Sequence, residues 1–401
     1  MVDFSFGPEI AEFRAEARQW LAERLGPGGA FAALLSPEPD PALRREWERE
    51  LGRGRWIGLG WPQVRPDLAA ELESYGVRSH AGLAHQVVWA EEYARAGAPS
   101  SLLLLGEHLL GPTLVACGSP AQRARFLPPI ARGEEVWCQG YSEPGAGSDL
   151  ASVRARAERA PDGDGWLVTG QKIWTSLAQY AGWCFALCRT EPGSERHRGL
   201  SLLLLPMDQP GRIEVRPIRQ LTGDGEFNEV FFDGARAVEV VGEEGAGWKV
   251  AMTLLSFERG AGMLARQIGY ERELDRIVQE ARQNGAAKDP VLRERIVRQW
   301  ADLRVLRCNA LATLGGSDPA AAAGAASAAK LLWAGWHQRL GELALAVRGP
   351  SGALRPAAPG AAHLDEAQYL ALFSRADTIY GGSDQIQRDV LATRVLGLPR
   401  A

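Results

Sequence analysis

The sequence predicts an α+β chain of three units: an N-terminal helical domain, a central β-barrel-like domain and a C-terminal four-helix bundle. Three observations predict it. Apolar residues recur with helical spacing through the first third of the chain. Short β-branched or apolar runs, bounded by Gly, Pro and Asp, follow from about Val136. Long helical patterns return beyond Gly247. The boundaries fall at residues 1–133, 134–242 and 243–401. At 401 residues the chain exceeds the size at which a single core stops growing, which agrees with several packed units.

In the first domain Ile10, Phe13, Ala17, Trp20 and Leu21 share one helical face over Ile10–Leu25, and Gly26–Gly29 stops that helix. Ala84–Gly97 and Leu102–Cys117 continue the style, with Pro62, Pro66 and Pro112 at the breaks. In the second domain Val153–Ala160 and Trp166–Ser176 read as strands joined by the turn-rich PDGDG, a hairpin. Trp183–Arg189, Leu200–Met207, Ile213–Arg219 and Asn228–Phe232 supply further strands. In the third, Trp248–Gln283, Pro290–Leu314, Ala320–Val347 and Asp365–Phe373 are long enough for a bundle, and Ser383–Leu396 makes a final helix. Strands and helices do not alternate, and no G-x-G-x-x-G follows a strand and opens a helix. A doubly wound dinucleotide fold is therefore excluded.

Composition removes several function classes. The net charge of −4 speaks against a broad basic surface for nucleic acid. The N-terminal MVDFSFGPEIAEF has no apolar signal core, and Leu102–Leu105 and Leu200–Leu205 are far shorter than the ~20 residues a bilayer span needs. Five cysteines, an odd number dispersed along the chain, suit reduced thiols in a cytoplasmic protein. Cys184 and Cys188 have no histidine or second cysteine pair nearby, and no metal is expected.

Four segments can carry chemistry. Tyr141–Leu150, YSEPGAGSDL, sits where helices hand over to strands; its small residues and the hydroxyls of Ser142 and Ser148 leave backbone N–H groups open to a ligand. Gly170–Ser176, GQKIWTS, ends a strand with an indole that can lie on a planar ring and with hydroxyls that can bond its edge. Gly247–Met263, GWKVAMTLLSFERGAGM, is a helix apolar nearly all round that nevertheless holds Glu258 and Arg259. One residue apart, these two point about 100° apart on a helix, so each needs a partner elsewhere. A carboxylate kept in such an apolar setting is raised toward the pKa of a useful base. Asp377–Arg388, DTIYGGSDQIQR, sets two glycines before Ser383, a good N-cap, and the helix N-terminus there can face an anion or a ring edge.

These four strings, in this order and across essentially the whole chain, resemble the acyl-CoA dehydrogenase family. YSEPGAGSDL is similar to that family's EPG-x-GSD flavin loop, GQKIWTSLAQYAGW to its Gly-x-Lys-x-Trp-x-Thr/Ser strand, FNEVFFDGARAVEVVGEEGAGWKVA to its NEVFFD-to-GxGW junction, and IYGGSDQIQRDVLATRVLGLP to its terminal helix. The resemblance implies FAD as cofactor, an acyl-CoA substrate, an electron-transfer flavoprotein as oxidant, and a homodimer or homotetramer or a hetero-tetramer with a related chain. It implies that Ser142 bonds the flavin ring beside Tyr141, that Ser148 with Gly147 lies near the pyrophosphate, and that Trp174 packs on the isoalloxazine. Ser176 would touch its N5 edge, and Ser383 and Gln385 would reach the cofactor from the last helix.

Many members place their catalytic glutamate directly after the tyrosine of the terminal motif; here Gly381 follows Tyr380. Others place it on the helix after GxGW, directly before an arginine, and Glu258 holds that position. Glu258 is thus the expected base, taking the α proton of the thioester while the β hydrogen leaves as hydride to flavin N5. Arg259, Tyr380 and Gly381 would border the substrate. The volume freed at Gly381 implies a bulky or branched acyl group, and RHRGLSLLLLPMD with RVLGLPR resembles bacterial members acting on bulky, branched or dicarboxylic ones. Two further departures concern the adenosine half of FAD: Arg282–Pro290 lacks Arg-x-x-Phe-Gly, and Val347–Leu354, VRGPSGAL, departs from Gln-x-x-Gly-Gly. Three alternatives stay open: an acyl-carrier-protein-linked dehydrogenase, a flavin oxidase or monooxygenase on the same fold, and a partner subunit of a two-chain complex.

Overall fold

The computed structural model describes residues 7–36, 40–257, 262–314, 319–354 and 364–399. They divide into two compact units. One is built from residues 7–36, 40–218 and 225–257, and the other from 219–224 and the described residues beyond 262.

The first unit begins with helices α1 (Pro8–Leu25), α2 (Pro41–Arg53), α3 (Trp61–Val64), α4 (Ala69–Ser74), α5 (Leu83–Arg95), α6 (Gly111–Cys117) and α7 (Pro120–Ala131). Their core is strongly aromatic: Trp20, Trp47, Trp56 and Trp89 meet Phe13 and Phe31, with Trp56 and Trp89 stacked at 4.2 Å. Such rings bury the largest areas of any side chains, which stiffens a unit made of short helices. The expected helix Leu102–Cys117 is realised as a π-helical turn, Gly106–Leu110, followed by α6. Pro112 tolerates that place because it falls in the first turn of α6.

Strands β1 (Trp137–Gly140), β2 (Arg156–Arg159), β3 (Trp166–Ser176), β4 (Trp183–Arg189), β5 (Leu200–Pro206), β6 (Ile213–Pro217), β7 (Phe227–Ala237) and β8 (Glu239–Val241) form one sheet. Its order is β6-β7-β3-β2-β4-β5-β8, with β1 parallel to β4. The β2–β3 hairpin turns at PDGDG, as expected. The terminal strands β6 and β8 do not pair with each other among the described residues, so the β unit is an open mixed sheet rather than a closed barrel. Both faces of β4 and β5 are covered. Phe185, Leu187, Leu202 and Leu204 face the helices, while Cys184, Ala186, Cys188, Leu203 and Leu205 face β3 and β7. That double burial is why these strands read as unbroken apolar runs. It also makes the buried cysteines packing residues.

Helix α8 (Gly247–Phe257) closes this unit, packing on β5 and α6. A Cβ at Gly247 would stand 2.4 Å from the Ser201 Cα, so only glycine lets the helix start against the strand. The helix buries Gly247, Val250, Ala251 and Leu254, while Trp248, Met252 and Leu255 are half-buried. The sequence reads as one helix from Trp248 to Gln283; the structure has α8 and then α9 (Gly262–Gln283), and the residues joining them lie outside the described set.

The second unit holds α9, α10 (Pro290–Leu314), α11 (Pro319–Arg348), α12 (Glu366–Phe373) and α13 (Asp384–Val390). The first three are the long members of the bundle, and α12 packs against α11 as its short fourth member. Tyr270, Leu274, Ile277, Trp333, Trp336, Leu340 and Leu343 form the core. The last expected helix, Ser383–Leu396, is α13 followed by a π-helical turn, Leu391–Val395.

Candidate functional site

The loop YSEPGAGSDL leaves the end of β1. Tyr141 is buried, edge-on to Phe185, and its successor Ser142 accepts the Ile173 amide through its carbonyl at 2.9 Å. Glu143 and Ala146 exchange both backbone hydrogen bonds, at 3.0 and 2.9 Å, which closes a tight turn with Pro144 and Gly145 at its tip. Gly147 and Ser148 are exposed just beyond it. Positions 145 and 147 have nothing within 4 Å of where a Cβ would sit, so the outer side of the loop is open.

What holds the loop is a buried ion pair absent from the sequence expectations. Lys172, on β3, is fully buried. Its ammonium donates to the Glu143 Oε1 at 2.8 Å, the Tyr141 carbonyl at 3.1 Å and the Leu187 carbonyl at 2.7 Å. Three protons meet three acceptors. The Glu143 carboxylate also accepts the Arg154 and Ala155 amides at 2.6 and 2.9 Å. A buried charge left unpaired costs several kcal/mol, so this closed set fixes the loop to β3 and β4. A signal was available: counting by twos from Trp166 and Val168 puts Lys172 on the inward face of its strand, where a cation must find partners.

The same alternation would turn Trp174 inward. Instead Trp174 is 56% exposed and Thr175 is fully buried. The inversion comes from a bulge: Lys172 pairs with Val230 and Thr175 with Asn228, so β3 spends one residue more than β7 there. Trp174 takes φ +59°, a left-handed conformation that bulky residues seldom adopt. Among the described residues its one aromatic neighbour is Phe227, edge-on at 6.1 Å. Strain of this kind persists where the surroundings over-determine it, and such places cluster at functional sites. Ser176, half-buried, ends the strand beside it. Below the bulge the Asn228 amide donates to the Thr175 carbonyl at 3.0 Å and to the Gln179 Oε1 at 2.5 Å. An open glycine-rich loop, the exposed Ser148 and an indole held outward suit a planar, anionic cofactor such as a flavin.

Tyr141, Ser142, Gly147, Ser148, Trp174 and Ser176 therefore share the first unit. Tyr380, Gly381, Ser383 and Gln385 belong to the second. There Gly381 and Gly382 have φ of +63° and +84°. A Cβ at Gly382 would fall 2.5 Å from the Gln387 Nε2, which itself donates to the Gly381 carbonyl at 2.9 Å. Gly381 is exposed and, lacking a side chain, offers no carboxylate at the place after Tyr380. Ser383 caps α13 by accepting the Ile386 amide at 3.4 Å, as its position predicts, and Gln385 is exposed on the first turn. Tyr380 donates its hydroxyl to the Asp377 Oδ1 at 2.5 Å. Glu258 and Arg259, which follow directly on α8, lie outside the described residues.

Among the described residues no helix is long and apolar enough to cross a membrane. Residues 7–134, 138–235 and 245–396 match the N-terminal, middle and C-terminal domains of acyl-CoA dehydrogenase. The acyl-CoA dehydrogenase IpdE1 of Mycobacterium tuberculosis is 52% identical over 401 residues, covering 98% of both chains. Its namesake from Mycolicibacterium smegmatis is 50% identical with the same coverage. Among solved structures, the "Tcur3481-Tcur3483 steroid ACAD" shares 31% identity with a TM-score of 0.83 over the full length of both chains. The ChsE4-ChsE5 complex of Mycobacterium tuberculosis shares 29% identity with a TM-score of 0.79, again over both whole chains.

Proposed function

The chain belongs to the acyl-CoA dehydrogenase family of flavoprotein oxidoreductases, and on that premise we propose that it desaturates the α–β bond of a bulky, ring-bearing acyl-CoA using FAD, with Glu258 as base. The observation that carries the reading is Trp174, turned outward by a strained bulge next to the open YSEPGAGSDL loop. Bound FAD would supply the acceptor for the hydride leaving the β carbon. The protein's share is to hold and to polarise. Trp174 packs against the ring face, and the hydroxyls of Ser142 and Ser176 bond its edge. Gly147 and Ser148 present amide and hydroxyl donors to phosphate, and the family resemblance adds Ser383 and Gln385 as cofactor contacts. Glu258 takes the α proton, an acid too weak to lose it without a positioned carboxylate. Arg259, Tyr380 and Gly381 border the acyl group in this reading.

Two facts favour a bulky substrate. Gly381 adds no side chain where many relatives carry their base, which frees volume there. A full-length solved relative bears the name steroid ACAD. Anaerobic titration of the purified flavoprotein with a panel of acyl-CoA thioesters, from straight short chains to steroid-derived acids, tests cofactor, activity and size preference together. Flavin bleaching by the ring-bearing members is the expected result. Glu258→Gln should keep the flavin and slow bleaching by about 10²–10⁴-fold; near-normal bleaching in that variant refutes the assignment of the base. An electron-transfer flavoprotein is the proposed oxidant, and rapid reoxidation by oxygen alone would favour an oxidase instead.

Assembly with a second chain is part of the proposal. The solvent face of α10 carries Val297, Trp300, Val305 and Cys308, all exposed, where a solitary bundle helix would be polar. Two of the solved relatives are named as pairs of chains. Light scattering of the protein expressed alone and with a related chain distinguishes a homo-oligomer from a hetero-oligomer.

A further inference from the structure

We propose that His337, acting through Asp377, is a positioning residue for the Tyr380–Gly382 turn and so for the acyl group that turn borders. This rests on the placement of Tyr380 at the substrate in the preceding reading.

His337 lies on α11 and is buried. Its Nδ1 is 2.5 Å from the Asp377 Oδ2, and its Nε2 is 2.9 Å from the Glu273 Oε2 on α9. A neutral imidazole has one N–H, so one of these carboxylates would face a lone pair; two hydrogen bonds require the imidazolium. Burial opposes that charge, but the bonds to Asp377 and Glu273 outweigh it and raise the His337 pKa to about 9. Asp377 is the node of the cluster. Fully buried, it gives Oδ2 to His337 and Oδ1 to the Tyr380 hydroxyl at 2.5 Å, and its backbone carbonyl accepts the Lys330 ammonium. Lys330 also sits 5.5 Å over the Tyr380 ring. The groups facing His337 and its node are therefore Glu273 and Tyr270 from α9, Lys330 from α11 itself, and Asp377 and Tyr380 from the segment after α12. Among the described residues, the His337 imidazolium stands between the Asp377 and Glu273 carboxylates, with the Lys330 ammonium on the Asp377 backbone carbonyl.

The turn hangs on Tyr380, whose amide donates to the Ala376 carbonyl at 3.1 Å, whose ring packs near Trp333 and whose hydroxyl reaches the buried Asp377. Gly381 and Gly382 are both left-handed and carry no side chains, so the turn is tied at one end by Gln387 and at the other by the Tyr380 side chain. Tyr380 is held by Asp377, and Asp377 is held by His337. Loss of the imidazolium proton leaves an uncompensated carboxylate in the core, and the turn loosens.

The full-length flavoprotein, with histidine labelled in the ring and tyrosine at Cζ, is titrated by NMR, His337 and Tyr380 being identified in His337→Gln and Tyr380→Phe. We expect His337 doubly protonated at pH 8 with a midpoint near 9, and the Tyr380 Cζ resonance moving with the same midpoint. A neutral His337 at pH 8, or a Tyr380 signal flat through the titration, overturns the proposal; neither readout needs turnover, so both stand if no acyl thioester reduces the flavin. In kinetics His337→Gln should raise KM about tenfold with kcat within about threefold, and should add less than about twofold in the Tyr380→Phe background. Equal effects in both backgrounds would mean a merely structural role. Should His337→Gln fail to fold, Glu273→Gln keeps the shape and must lower the His337 midpoint, carrying the Tyr380 signal with it; a Tyr380 signal that stays behind refutes the coupling.

Discussion

The two units each bury a cluster of charges behind a glycine-bearing loop, and the clusters are built differently. In the sheet, the Lys172 ammonium spends its protons on one carboxylate and two carbonyls, and Glu143 spends its remaining capacity on two amides. Much of the binding is to backbone, so the pair is locked into the geometry of β3 and β4. In the helical unit, His337, Asp377, Glu273 and Tyr380 bind one another mainly through side chains. Backbone partners come with the fold and change only when it unfolds; side-chain partners can be gained and lost by titration. The first cluster is an anchor, and the second responds to pH.

Breaking the anchor should have the largest effect. Lys172→Met leaves the Glu143 carboxylate buried without its cation, and a loss of about 3–5 kcal/mol is expected in denaturant unfolding, together with flavin loss. A variant that unfolds like the parent and keeps its flavin would remove the pair from this role.

The helical cluster should show itself through pH. The His337 pKa is raised, from 6.5 to about 9, so the stability it contributes is fully present below about 6.5 and disappears as pH climbs through 9. The gap between wild type and His337→Gln should reach roughly 2–3 kcal/mol at pH 6 and close by pH 10, read from urea midpoints. A gap that widens with pH would reverse the sign of the argument.

A third buried carboxylate sharpens the contrast: Arg44 acts on it only at a distance, and among the described residues it has no ion pair. Among the described residues, Glu48 on α2 accepts the Leu102 amide at 2.7 Å and the Ser101 hydroxyl at 2.9 Å. Burial outweighs these bonds and pushes its pKa up to about 7. Its ionised form therefore costs stability as pH rises from 4.5 toward 7 and beyond, and Glu48→Gln should stabilise the protein by about 1 kcal/mol at pH 8 while changing little at pH 4. The smallest of the three effects, it is checked by thermal unfolding at the two pH values.

Much of this molecule was legible in its sequence because the signals are local. Turn residues marked the PDGDG hairpin that ends in β3, an unbroken apolar run marked β4, and long apolar spacing marked α10. Ser383 behaves as the cap its position suggests. Even the family could be read from four short strings, since each is a run of residues whose spacing is set by one turn or one strand.

Three features needed the tertiary structure, for one physical reason. The outward Trp174 depends on a register shift against β7, the Lys172–Glu143 anchor on partners as far as 31 residues away, and the His337 cluster on residues 40 and 64 positions distant. A sequence fixes which side chains must bury charge or bend the backbone. Which partner answers each is decided only when strands and helices remote in the chain are packed together, because a buried charge takes whatever complement the fold delivers to it.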